Sequence, residues 1–183
     1  LVYHPVTERT VVPVTTDDAS EQQINNVGTV SPAYQIDFQD FERKIEQEHV
    51  KLFILCNPHN PVGRVWTVEE LQKLGEICLR HHVIVVSDEI HNDFVYPGYE
   101  HTVFANVDPR FAEFTLTCTA PSKTFNLAGL QISNIFIPNE NLRKAFKTEI
   151  DRTGYDEPNA LGVVACEAAY RAGEDWLEQL RAY

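Results

Sequence analysis

The chain has 183 residues, 43% of them hydrophobic and 23% charged, the make-up of one globular domain with a sizeable core. Lys and Arg total 15 against 27 Asp and Glu, a formal net charge of −12, which argues against nucleic acid and anionic membrane as partners. No apolar run is long enough to span a bilayer, and no signal peptide is expected. Cys56, Cys78, Cys118 and Cys166 sit singly in apolar runs with no CxxC pair. Buried, reduced thiols in a cytoplasmic protein are expected, and neither a metal site nor a disulfide framework. The sequence begins at Leu1 and contains no methionine, so a fragment or a processed piece is expected.

In chain order, Leu1 to Pro5 reads as the end of a loop or helix. The β-branched stretch Thr10 to Val14 predicts a short strand, with Pro13 marking an edge or strand end. Asp17 to Asn26 is an acidic, solvated loop. Asp37 can cap a helix running to about His49, with Phe38, Phe41 and Ile45 on one face and Glu42, Glu46 and Glu48 on a solvated one. Lys51 to Cys56 is continuously apolar after its first residue and predicts a central strand. A loop with two prolines and a glycine follows, Asn57 to Gly63. Thr67-Val68-Glu69-Glu70 is a capping box, and Leu71, Leu74, Ile77 and Cys78 then recur at helical spacing. Val83 to Val86 is a second apolar strand, so strand, helix and strand form a βαβ unit with parallel strands.

Phe114 to Thr119 and Asn134 to Ile137 add two strands. Asn139 to Asp151 is amphipathic, with Leu142, Ala145, Phe146 and Ile150 expected to face inward. Pro158 is expected to open a long alanine-rich helix ending near Gly173. Glu174 to Tyr183 predicts one more helix. The economical fold is α/β, a three-layer α/β/α arrangement around a mostly parallel sheet.

The ends of three predicted strands carry unusual polar residues. They are Asn57-Pro58-His59-Asn60-Pro61-Val62-Gly63, then Ser87-Asp88-Glu89-Ile90-His91, then Ser122-Lys123. In a parallel sheet the three lie along one edge, where ligands bind in open α/β folds. Lys123 follows a strand that ends in small residues and a proline. Held against apolar neighbours, its amine would lose solvation and become nucleophilic, which suits Schiff-base chemistry. A pyridine ring needs a carboxylate to keep its nitrogen protonated, and Asp88, buried at a strand end, would serve. Asn60 and His91 would donate to a phenolate oxygen. Together these are the groups that a pyridoxal 5′-phosphate site requires. Each has a plainer reading: Asn60 as the shaper of a Pro-rich turn, Asp88 as a helix cap, His91 and Lys123 as loop residues. His59 and Arg64 read as structural loop residues, Trp66 as packing at a helix start, and His81 and His82 as solvated partners of a helix end.

Asn60-Pro61-x-Gly63, Asp88-Glu89-Ile90-His91, and Ser122-Lys123 with Ala128-Gly129-Leu130 resemble the fold-type I pyridoxal-phosphate enzymes, aminotransferase class I/II. The fuller wording, Cys56 to Trp66 and Thr119 to Gly129, is similar to the MalY/PatB branch of cystathionine β-lyases, or C-S lyases. The resemblance implies the central part of the large, cofactor-binding domain for residues 1–183, with an N-terminal segment and a C-terminal small domain outside it. It implies Lys123 as the residue that holds the cofactor and moves the Cα proton, and Asp88 as partner of the ring nitrogen. Asn60 and His91 would bind the ring oxygen, Tyr3 would stack on the ring, and Ser122 and Thr119 would contact the phosphate. Eight residues after the lysine, many aminotransferases place a phosphate-binding arginine; here the position is Gln131, which agrees better with the lyase branch. Main-chain amides would then help to hold the phosphate. The implied activity is β-elimination on cystathionine or a similar cysteine S-conjugate by a cytoplasmic homodimer. An aminotransferase is the first alternative, and a non-catalytic domain or inactive fragment on the same fold the second. These 183 residues alone are expected to show little activity.

Overall fold

The computed structural model describes residues 34–155 and 157–183. The strand expected at Thr10–Val14, the acidic loop Asp17–Asn26 and Tyr3 lie outside the described residues. Helix α1 spans Phe38–Gln47, and Asp37 starts it by accepting the Asp40 N–H at 2.9 Å. That bond satisfies a first-turn donor with no partner inside the helix. Phe41 and Ile45, one turn apart, are buried. Glu46 and Glu48 face solvent as expected. Glu42 instead reaches helix α2 (Val68–Arg80), where its Oε1 accepts from Arg80 Nη2 at 2.6 Å and lies 2.8 Å from His81 Nε2. His81 is therefore an inter-helix partner rather than a solvated helix-end residue.

The sheet has the order β1-β2-β3-β4, with β1 Leu52–Cys56, β2 Ile84–Asp88, β3 Thr115–Thr119 and β4 Asn134–Phe136. The first three strands are parallel, and β4 runs antiparallel to β3. Helix α2 is the crossover between β1 and β2, as the βαβ pattern requires. Its capping box is formed in both directions: Thr67 Oγ1 accepts the Glu70 N–H at 3.2 Å, and Glu70 Oε2 accepts the Thr67 N–H at 2.9 Å. Phe114, expected in the third strand, closes the 3-10 turn Phe111–Phe114 that precedes it.

Strand alternation sends Phe53 and Leu55 of β1 into the core and leaves Leu52 and Ile54 on the opposite face, 40% and 50% exposed. Phe41, Ile45, Trp66, Leu71, Leu74, Ile77, Cys78, Val83, Val85, Phe104 and Phe111 complete that core. Helices α1 and α2, together with the segment that carries α3 (Phe104–Val107), thus cover one face of the sheet.

The C-terminal helices depart from the sequence expectation. Helix α5 spans Glu140–Thr153, but none of its residues is buried; Ala145 is exposed, and Leu142, Phe146 and Ile150 are only half-buried. Amphipathic spacing says which face of a helix is apolar, not whether another layer covers it. Helix α6 runs Ala160–Ala172, and Asn159 caps it through the Leu161 N–H at 2.9 Å. Pro158 therefore precedes the cap instead of filling the first helical position, because the Asn159 side chain sets the start two residues later, at Ala160. Helix α7 follows at Glu174–Ala182. Among the described residues no helix is long and apolar enough to cross a membrane.

One glycine tests this packing. A Cβ on Gly75 of α2 would run into the ring of Phe111, which is fully buried. Exchanging Gly for Ala inside a helix gains up to about 1 kcal/mol of propensity, whereas overpacking a core costs about 1–3 kcal/mol. Gly75→Ala is therefore expected to lower the denaturant midpoint with an unchanged slope; a raised midpoint would show that the Phe111 ring gives way freely.

Candidate active site

The site begins with strand register. Cys56 lies opposite Asp88, and Asp88 opposite Cys118. Just past these positions the Asn57 N–H donates to Asp88 O and the Glu89 N–H to Cys118 O, both at 2.9 Å. Three chains therefore leave the sheet at one level. With neighbouring strands about 4.8 Å apart, the outer two exits are separated by roughly 10 Å.

The β1 exit is a braced loop. The His59 N–H donates to Arg64 O at 2.7 Å, and the Gly63 N–H to His59 O at 2.8 Å. Gly63 has φ +67°, a conformation that side chains resist. Arg64 grips both Glu70 carboxylate oxygens, at 2.9 and 2.7 Å, and lies 4.6 Å from the Trp66 ring centroid. Trp66 Nε1 donates to Cys56 O at 3.0 Å. Arg64 and Trp66 are thus structural, as their sequence context suggests. Asn60 stands exposed within the loop they brace. Burial pushes the His59 imidazole below its ordinary value.

At the β2 exit, Asp88 is half-buried rather than buried, and its Oδ1 accepts the Ile90 N–H at 3.2 Å. His91 is half-buried, with its ring 6.3 Å from that of Phe94. The chain then makes the 3-10 turn Asn92–Phe94. Asp93 in this turn accepts from Thr124 Oγ1 at 2.7 Å. That bond fastens the β2 exit to the one-turn helix α4 (Pro121–Thr124), which carries Ser122 and Lys123.

Thr124 is fully buried, Ser122 is half-buried and Lys123 is exposed. The expectation that Lys123 is held against apolar neighbours is therefore corrected. Its neighbour Thr124 carries the anchoring contact instead. Thr119, half-buried at the end of β3, pairs in register with Asn134. Burial, aided by Asp93 and Cys166, pushes the nearby Tyr170 phenol up, against hydrogen bonds to Thr119 and Asn134. Gln131 is exposed, in a left-handed backbone conformation. Asn60, Asp88, His91, Thr119, Ser122 and Lys123 thus share one sheet edge, although no hydrogen bond joins Lys123, Asp88, Asn60 and His91 among the described residues. Tyr3 lies outside them.

Several residues near the site have no assigned role in the sequence reading. Glu89 is buried, and Asn57 is fully buried. The alternation Val85, Ser87, Glu89 already points the acid inward. Nothing in the sequence signals His101, which meets Glu89 from the far end of a loop. The four cysteines are all free, but only Cys78 is fully buried.

The family model for aminotransferase class I and II matches residues 16–183. The chain belongs to that family. It is 54% identical over 151 residues to cystathionine beta-lyase PatB of Bacillus subtilis, covering 82% of this chain and 39% of PatB. To the MalY protein of Escherichia coli it is 33% identical, covering 96% of this chain and 42% of MalY. Among solved structures it is similar to cystalysin from Treponema denticola, which contains pyridoxal 5′-phosphate (TM-score 0.79, 46% identity, 81% of this chain and 38% of that one). It is likewise similar to the PLP-bound C-S lyase from Staphylococcus hominis (TM-score 0.76, 45% identity, 82% and 37%). This family member thus spans about two fifths of the length of the curated relatives it matches.

Two of the thiols offer a direct check. Burial first, then Asp88 and Glu89, raises Cys118 to about 11. Burial alone raises Cys78 to about 12. A raised thiol value means less thiolate at a given pH, so at pH 8 about one Cys118 in a thousand is reactive. Iodoacetamide at pH 8 is expected to leave Cys78 and Cys118 unlabelled in the folded protein and to label both after denaturation, as read by peptide mass spectrometry. Rapid labelling of Cys118 in the native state would contradict its placement.

Proposed function

We propose that the whole protein is a pyridoxal-phosphate-dependent C-S β-lyase. Cystathionine, or a related cysteine S-conjugate, and water would give a thiol, pyruvate and ammonia. The observation that carries this reading is the common sheet edge on which Asn60, Asp88, His91 and Lys123 lie. The donor set fits the cofactor, with a carboxylate for a protonated ring nitrogen, an exposed primary amine for an aldehyde, and hydroxyls for a phosphate. The 54% identity to PatB supports the lyase assignment, and so does neutral Gln131 where many aminotransferases carry arginine.

Pyridoxal 5′-phosphate, when bound, supplies an aldehyde that takes the substrate amine and a protonated ring that draws off the electron pair left at Cα. Lys123 would hold that aldehyde, and its Nζ would take the proton from the substrate Cα. Asp88, oriented by the Ile90 N–H on Oδ1, would keep the proton on the ring nitrogen. Asn60 and His91 would donate to the ring oxygen, and the Ser122 and Thr119 hydroxyls would bind phosphate; Tyr3, outside the described residues, is the proposed stacking partner of the ring. An exposed Lys123 is suited to exchange with an incoming amine.

In this reading residues 1–183 form part of the large domain, and the whole protein acts as a homodimer in the cytoplasm, a compartment consistent with four free thiols. The second reading is an aminotransferase of the same class, supported by 32% identity to aspartate aminotransferase of Geobacillus stearothermophilus.

The test uses the full-length protein with cystathionine and follows thiol and pyruvate together. Equal release of both is expected, and Lys123→Ala should cut it by at least about 100-fold, the lower end for a positioned proton-transfer group. Amino transfer to a keto acid without pyruvate from the thioether would favour the second reading. Undiminished turnover by the Lys123 variant would remove the lysine from its role.

A further inference from the structure

Glu89 follows Asp88 directly, and the function proposed above gives it no task. It is 1% exposed. A carboxylate at that depth persists only when its oxygens are paired, and both of these are. Oε1 accepts from Ser87 Oγ at 2.8 Å and from the Phe104 N–H at 3.0 Å. Oε2 lies 2.9 Å from His101 Nε2. With Glu89 ionised, Oε2 accepts and the proton of that contact sits on Nε2. The other ring nitrogen, Nδ1, is buried without a partner among the described residues, so His101 makes its one hydrogen bond to Glu89.

The partners come from separate places: Ser87 from β2, His101 from the end of a surface loop, and Phe104 from the first position of α3. Beside them Asn57, at the β1 exit, donates from Nδ2 to Thr102 O at 3.1 Å. The chain from Glu89 to Phe104 is thereby pinned at its far end to two strand exits. Its near end follows Asp88 directly and carries His91 and Asp93, and Asp93 holds the turn of Lys123 through Thr124. Stability alone does not call for a charge here, because replacing a buried ionic group with a well-packed apolar one is often neutral or stabilising. What the carboxylate adds is direction: three donors, one from β2 and two from the segment 101–104, meet at one point one residue from Asp88.

We propose that Glu89, with His101, is a positioning residue that holds the Asp88 carboxylate and the His91 imidazole in place at the cofactor ring. This rests on the pyridoxal-phosphate reading above, and the test separates the two claims. The full-length wild type, E89L and E89Q are compared by thermal melting, by equilibrium dialysis against pyridoxal phosphate, by visible circular dichroism of the bound cofactor, and by kcat and KM.

A wild type that takes up no pyridoxal phosphate overturns the function reading itself, and this inference with it, before any variant is considered. With a wild type that binds, E89L is expected to hold the cofactor about tenfold more weakly, the size seen when the groups orienting a ligand-holding residue are cut. It should also change the visible dichroism and lower kcat with little change in KM. E89Q keeps an acceptor for Ser87 and Phe104, so it should fall between the two. A folded E89L with wild-type affinity and dichroism overturns the inference, even if its melting temperature moves. Should E89L fail to fold, E89Q decides: weaker binding with altered dichroism supports the proposal, and wild-type values for both overturn it.

Discussion

Parallel pairing in a single register is the constraint on which the rest depends. Once Cys56, Asp88 and Cys118 lie side by side, the residues after each must emerge together at the carboxyl edge of the sheet. Parallel strands need long crossovers, and the helices that make them pack on the faces. The edge is left to loops, and function on this fold resides there. The apolar runs of β1, β2 and β3 supply the burial that holds the register, and a one-residue slip in any of them would turn its inward side chains to the other face.

Loops at such an edge would ordinarily be its least ordered part. Here each is tied back. Trp66 and Arg64 brace the loop that carries Asn60, and Thr124 joins Asp93 so that the Lys123 turn moves with the β2 exit. Glu89 gathers Ser87, His101 and Phe104. The ties are buried or half-buried hydrogen bonds, whereas Asn60 and Lys123 among the groups assigned to chemistry are exposed. Rigid backing with accessible reactive groups is what covalent exchange at an amine requires.

Much of this was legible in the residues. The β1–α2–β2 unit follows from two short apolar runs flanking a capping box, and each of those signals is local. Asn60, Asp88 and Lys123 could be placed on one edge because parallel pairing leaves strand ends no other arrangement. What failed to show depends on partners distant in the chain. Apolar spacing in α5 gave an inward face, yet Leu142, Phe146 and Ile150 are only half-covered. Pro158 fits a helix start as well as the position before one, and only the Asn159 cap decides between them. The surroundings of Lys123 turn on what packs nearby, which no neighbouring residue type specifies. Glu89 was readable from strand alternation, but His101, twelve residues on, was not.

Central to the account is that the three exits make one cofactor site with Lys123 as its covalent anchor. The most direct measurement is borohydride reduction of the full-length protein with one equivalent of pyridoxal phosphate, followed by peptide mapping. Reduction fixes the cofactor carbon to whichever amine holds it. A single adduct on Lys123 is the expected result. Adducts spread over Lys51, Lys73, Lys144 and Lys147, with Lys123 unmodified, would contradict it.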